Sequence, residues 1–189
     1  MQSRVIFLDY DGVVNTPMWN EKGTSCRYNF PSDGKVNNFQ AVQWLSEACK
    51  KFHYDIVVTS TWRRSANYKE CLINGGLREG IEILGKTEHL EVQEGWSRGR
   101  EIQKYLDEHP EINYFMILDD ENVPINEVQR DHFIQTVDAH GGFNEADFFT
   151  FEEIYMKKFL TLALAVLMMI SMAACSTPTV DETPKTQDT

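Results

Sequence analysis

Short apolar runs that stop at carboxylates or hydroxyls, with helix-like segments between them, leave few folds open to this chain. Val5–Leu8 runs into Asp9-Tyr10-Asp11-Gly12, Asp55–Thr59 ends in Thr59 and Ser60, and Tyr114–Leu118 stops at Asp119 and Asp120. Within Asn38–Phe52 the apolar residues Phe39, Val42, Leu45, Ala48 and Phe52 recur at helical spacing, and Ala66–Ile73 reads as a second helix. Ile81–Leu84 reads as a further strand. Ser97 reads as the N-cap of a helix that carries Ile102, Tyr105 and Leu106 on one face and ends before Pro110. His132–Val137 is a last strand, and Asn144 opens a last helix. Strands alternating with helices make βαβ units, so the expected class is α/β, a three-layer sandwich around a mostly parallel sheet. Ligands of such sheets gather at the carboxyl ends of the strands, where these three polar endings converge.

The first ending is the most chemical. Asp9 and Asp11 are two residues apart, so an extended backbone projects both side chains the same way. Two like charges there repel unless a cation lies between them, and a hard divalent ion such as Mg²⁺ suits oxygen donors. Gly12 permits the sharp turn that follows. The net charge of −11 disfavours non-specific binding along nucleic acid or to an anionic membrane, without excluding a local basic pocket. Cys26, Cys49 and Cys71 lack metal-ligand spacing and read as reduced cytosolic thiols.

The chain ends unusually. Met156-Lys157-Lys158 precedes an uncharged run over residues 159–174, then Cys175 and a polar Thr/Pro-rich tail. That layout is the one of a bacterial secretion signal, and Met172-Ala173-Ala174-Cys175 resembles a lipobox, yet it lies at the far end of the protein. The run would span roughly 24 Å as a helix, a little short of a hydrocarbon core. Three readings compete: a membrane anchor, a second reading frame fused to the first, or a buried helix. The last is disfavoured because no amphipathic stripe is visible. The expected division is a catalytic domain over 1–155, cytoplasmic, and a separate segment over 156–189 that tethers it to a membrane if that segment is real.

Four segments in order carry a family resemblance. Asp9-Tyr-Asp-Gly-Val, Val57-Val58-Thr59-Ser60, Arg98 in Arg-Gly-Arg-Glu-Ile, and Ile117-Leu118-Asp119-Asp120 resemble the four motifs of haloacid-dehalogenase-like (HAD) phosphohydrolases. Thr59-Ser60-Thr61-Trp62-Arg63 and the Arg-Gly-x-Glu-Ile segment are similar to the HAD domain of Swiss-army-knife RNA repair proteins. The late Thr136-Val137-Asp138-Ala139-His140-Gly141-Gly142-Phe143 echoes that group only loosely. The resemblance covers residues 1 to about 155 and implies a Rossmann-like HAD fold and Mg²⁺-dependent phosphoryl transfer. It implies Asp9 as nucleophile and Asp11 as general acid and base. The metal would be held by Asp9, the backbone carbonyl of Asp11, and Asp120, with Asp119 orienting its neighbours from behind. Thr59, Ser60 and Arg98 would hold the phosphate. Arg98 departs from the lysine common at this motif, and a helix start favours anions over cations.

The spacing leaves no room for a large cap domain, which suits a large substrate or a polymer end. A polar stretch, Thr16–Lys35, reads as a loop or small flap, with Trp19, Arg27, Tyr28 and Phe30 either lining the entrance or covering the sheet edge. Trp62, Arg63 and Arg64 follow the second motif and would stand at the site mouth, where arginine beside an aromatic binds phosphate and stacks on a base. The alternative for Trp62 is a ring packed inward. The expected partner is thus a phosphorylated substrate, either a nucleotide or a nucleic-acid end. The competing readings are a small-metabolite phosphatase and an inactive HAD-like binding module.

Overall fold

The computed structural model describes residues 3–16, 18–19, 25–26, 35–90, 97–157 and 160. The chain divides into two units, Met1–Ile154 and Tyr155–Thr189, and the sheet and its helices belong to the first. Strand β1 (Ser3–Leu8) is followed by a two-stranded antiparallel ribbon, β2 (Met18–Trp19) and β3 (Ser25–Cys26), within the expected flap. Then come α1 (Phe39–Phe52), β4 (Asp55–Val58), α2 (Tyr68–Asn74), β5 (Ile83–Lys86), α3 (Arg98–Glu108), β6 (Ile112–Asp119), α4 (Glu127–Arg130) and β7 (Phe133–Gln135). Residues 145–157 are helical. The fold is the expected α/β Rossmann-like sandwich, with no large cap among the described residues.

The strand order is β5-β4-β1-β6-β7, and every pairing is parallel. The chain builds outward from β1 through β4 to β5, then returns to the other side of β1 with β6. The order therefore reverses beside β1, and in open α/β sheets ligands bind at such a reversal, here at the carboxyl ends of β1 and β6. Val5, Ile6, Phe7 and Leu8 are all fully buried, so both faces of the central strand are covered. On one face Val5, Phe7 and Val57 pack with Ile102, and Tyr105 and Leu106 of α3 close over them. Phe7 meets the Tyr105 ring edge-on at 5.7 Å.

Local signals set the helix ends as expected. The Asn38 side chain caps α1 by accepting from the Ala41 N–H, and Ser97 caps α3 by accepting from Arg100. Several bounds shift by a residue or two: β6 is Ile112–Asp119 rather than Tyr114–Leu118, β7 is Phe133–Gln135 rather than His132–Val137, and α2 is Tyr68–Asn74 rather than Ala66–Ile73. Strand β5 begins at Ile83 rather than Ile81 and includes Gly85 and Lys86, which pair with Val57 and Val58. An edge strand tolerates a glycine that a central one would not. Two short 3₁₀ turns, Thr61–Arg64 and Asp138–His140, join the list of elements. Cys49 and Cys71 are buried free thiols.

No helix among the described residues is long and apolar enough to cross a membrane. The apolar run over 159–174 lies, except for residue 160, outside those residues, as do Cys26's side chain, Cys175 and the flap side chains of Trp19, Arg27, Tyr28 and Phe30.

Candidate active site

Backbone hydrogen bonds carry the ladder one step past the strands and so fix the first polar residue of each ending. Asp9 N–H donates to Leu118 O at 3.0 Å, Thr59 N–H to Leu8 O at 2.8 Å, and Thr136 N–H to Asp119 O at 3.0 Å. Asp9, Thr59 and Asp119 consequently stand side by side on adjacent strands. Past Asp9 the chain winds into one tight turn, with the N–H groups of Val13, Val14 and Asn15 all directed to Tyr10 O. Gly12 sits there at φ +77°, and a Cβ on it would lie 2.3 Å from Asp120 Cγ. No other residue type leaves room for Asp120.

Three carboxylates meet at this edge. Asp9, Asp119 and Asp120 each offer an oxygen within 4.8 Å of the others. Arg98, the first residue of α3, reaches across them: its Nη1 lies 2.6 Å from Asp9 Oδ2 and 2.7 Å from Asp119 Oδ2. These two acids answer the objection to a cation at a helix start. Burial alone would lower the Arg98 pKa, but the Asp9 and Asp119 charges more than reverse it, so the guanidinium stays charged. Asp119 Oδ1 accepts from the Glu121 N–H at 3.0 Å, which leaves both Asp119 oxygens engaged.

One guanidinium does not balance three acids. Burial raises the Asp119 pKa far above the ordinary range, and the nearby Asp9 charge adds to this while Arg98 offsets only part. The Asp120 carboxyl is pushed up to about 6 by burial, then by the Asp9 and Asp138 charges. Asp9 Oδ1 is buried with no hydrogen-bond partner among the described residues. An orphaned buried oxygen among all-oxygen donors with excess negative charge fits a hard cation, so the cluster can hold a metal.

Asp11 stands apart from the three. Its Oδ1 accepts from Asn15 Nδ2 at 2.7 Å and its Oδ2 from the Trp62 indole N–H at 3.0 Å. Burial raises its pKa even though both bonds favour the charged form. The Thr59 hydroxyl is fully buried and without a partner among the described residues. Ser60 is engaged differently, its Oγ capping the 3₁₀ turn by accepting from Trp62 N–H at 3.3 Å.

Two of the three residues expected at the mouth are inside the protein. Trp62 is 4% exposed, with its ring edge-on to Tyr10 at 5.6 Å, so it has no face to offer a base. The inward reading of Trp62 is the correct one. Arg63 is equally buried and pairs with Glu101 of α3 at 2.6 Å, while its Nη1 donates to the carbonyls of Thr59 and Ser60. Only Arg64 of the trio is exposed, and it bonds to His89 Nε2 at 2.6 Å. On a 3₁₀ turn about 120° separates consecutive side chains, so Trp62, Arg63 and Arg64 point three different ways and cannot all face the mouth.

Glu101, Asn15, Thr136 and Asp138 belong to the site's surroundings and were not among the sequence candidates. Thr136 Oγ1 donates to Gly12 O at 2.9 Å, tying the late segment to the first motif. The loosely matching Thr-Val-Asp was the only sequence signal for that contact.

Residues 5–148 match a family model described as the HAD domain in Swiss Army Knife RNA repair proteins. No curated protein and no solved structure matches the chain.

Proposed function

Because the chain belongs to the family of HAD domains in Swiss Army Knife RNA repair proteins, we propose that it is a Mg²⁺-dependent phosphatase working through an aspartyl phosphate. The observation that carries this reading is the bridge of Arg98 between Asp9 and Asp119, with Asp9 Oδ1 left buried and unpartnered beside it. A nucleophilic carboxylate needs one oxygen free and a cation to offset the charge that builds up during transfer.

Asp9 attacks phosphorus in line, forming an O–P bond as the bond to the leaving oxygen breaks. Asp11 gives that oxygen its proton, and its burial-raised pKa favours holding one. Asp11 then takes a proton from the water that cleaves the aspartyl phosphate, releasing phosphate and restoring Asp9. The Thr59 hydroxyl, buried and unpartnered, donates to a phosphate oxygen, with Ser60 beside it and Arg98 supplying positive charge. Asp9, the Asp11 carbonyl and Asp120 would hold Mg²⁺, which when bound neutralises the acids and the phosphoryl oxygens they face. Asp119, with both oxygens engaged, orients Arg98 instead of binding metal.

The substrate we propose is a terminal phosphate on a nucleotide or nucleic-acid end, supported by the lack of a large cap among the described residues, the exposed Arg64 and the family's association with RNA repair. The catalytic unit is residues 1–155, read as cytoplasmic. Residues 156–189 are either a membrane-anchoring segment or a fused second reading frame. Truncation after Tyr155 should leave turnover within about twofold, and an unfolded product would overturn that division.

The test is phosphate release from nucleotides, oligonucleotide ends and sugar phosphates with Mg²⁺ present. Asp9→Asn should remove turnover, at least about 10⁴-fold, while the fold persists. Undiminished rates in that variant would sink the mechanism. Preference for a sugar phosphate would move the substrate to small metabolites, and no turnover on any ester would favour a binding module.

A further inference from the structure

The mechanism above asks much of Asp11, and the structure holds that side chain from two sides. Asn15, four residues on, donates to Oδ1 at 2.7 Å, which any tight turn after the first motif could supply locally. The second donor comes from 51 residues away. The Trp62 indole N–H meets Asp11 Oδ2 at 3.0 Å.

The indole has little freedom to be elsewhere. Its ring is 4% exposed and edge-on to Tyr10, whose hydroxyl donates to Tyr68 O at 2.7 Å. Its backbone N–H is capped by Ser60 Oγ, and Arg63 beside it is pinned by the buried Glu101 carboxylate. A buried ring anchored at this many points presents its N–H in a fixed direction. The turn after the second motif thus reaches back and sets the orientation of a first-motif side chain.

We infer that Trp62 is a positioning residue: it does not contact substrate but aims the Asp11 carboxyl at the leaving oxygen. The inference rests on the phosphatase reading, in which Asp11 moves the proton. Removing the N–H while keeping a ring leaves Asn15 as the one side chain holding Asp11 among the described residues, and its carboxyl can swing.

The consequence depends on how much the leaving group needs a proton. An alkoxide departs poorly without one, whereas p-nitrophenolate departs readily as the anion. The experiment measures kcat/KM of the full chain on an alkyl phosphate and on p-nitrophenyl phosphate, for the unsubstituted protein, Trp62→Phe, Asp11→Ala and the double variant. Proton transfer by a positioned side chain is worth about 10²–10⁴-fold, so Trp62→Phe should lose at least about tenfold on the alkyl ester and under about threefold on the nitrophenyl ester. It should lose nothing further when Asp11 is already alanine. Should Trp62→Phe fail to fold, Trp62→Leu, which also lacks the N–H, takes its place. Equal losses on both esters, or losses that multiply with Asp11→Ala, would overturn the proposal and leave Trp62 as packing. Absence of turnover on both esters in the unsubstituted chain would overturn the phosphatase reading, a result distinct from either.

Discussion

Two buried charge clusters share the first turn of α3, and they are built oppositely. Around Glu101 the charges balance. Its Oε2 accepts from Arg63 at 2.6 Å, and its Oε1 from the Leu90 N–H and His89 Nδ1, both at 3.1 Å. Around Arg98, three residues earlier, one guanidinium faces Asp9, Asp119 and Asp120. A buried pair reinforced by further hydrogen bonds holds chain segments together, here clamping the Thr59 and Ser60 carbonyls to α3 through Arg63. Uncompensated acids cost stability and make sense where something positive completes them. The first cluster is scaffolding for the second.

The comparison breaks most visibly at Glu101. Glu101→Ala leaves the Arg63 guanidinium buried and unpaired, and removing one partner of such a pair costs about 3–5 kcal/mol. Burial already pulls the Arg63 pKa down, with Glu101 opposing it, so that charge has no cheap alternative. Thermal denaturation should show a fall of roughly 10 °C. A fall of only a degree or two would mean the pair is not structural. Replacing both partners with apolar residues, Arg63→Met with Glu101→Leu, should recover most of that stability. Turnover should stay impaired, because the loop carbonyls lose their clamp.

What the sequence made legible follows the same divide. Asp9, Asp11, Thr59, Arg98 and the Asp119-Asp120 pair lie in short segments whose neighbours declare them: a strand end, a helix start. The β-α alternation that sets the sheet was equally local. Trp62 and Arg63 read as a substrate-binding pair because arginine beside an aromatic after the second motif suits phosphate and base, with a ring packed inward as the alternative for Trp62. Their true surroundings come from residues 38 and 51 positions away, Glu101 and Asp11. Glu101 stands out in sequence only as the glutamate of Arg-Gly-x-Glu-Ile, and nothing local to that segment names Arg63 as its partner. The Asp138 charge reaches Asp11 and Asp120 from the far side of the sheet's last crossover. Periodicity cannot encode such meetings.

A smaller effect of the opposite sign is expected at the acid-rich cluster. The Asp120 pKa is raised to about 6 in the folded chain, so without metal its ionisation works against folding. The cost is absent below the unfolded carboxylate pKa near 4 and grows as pH rises to about 6, where it levels off. In chelator the full chain should therefore lose stability over that window. Asp120→Asn should lose less, and at pH 7.5 should be the more stable protein by roughly 1 kcal/mol, after allowance for its partial exposure.

Heat denaturation at pH 7.5 with and without millimolar Mg²⁺ tests most directly the proposal that the cluster's excess negative charge makes it a cation site. The unsubstituted chain should gain about 2–4 °C or more on adding Mg²⁺, and Asp120→Asn should start higher in chelator and gain little. An unsubstituted chain indifferent to Mg²⁺, or an Asp120→Asn variant less stable than it in chelator, would contradict the account.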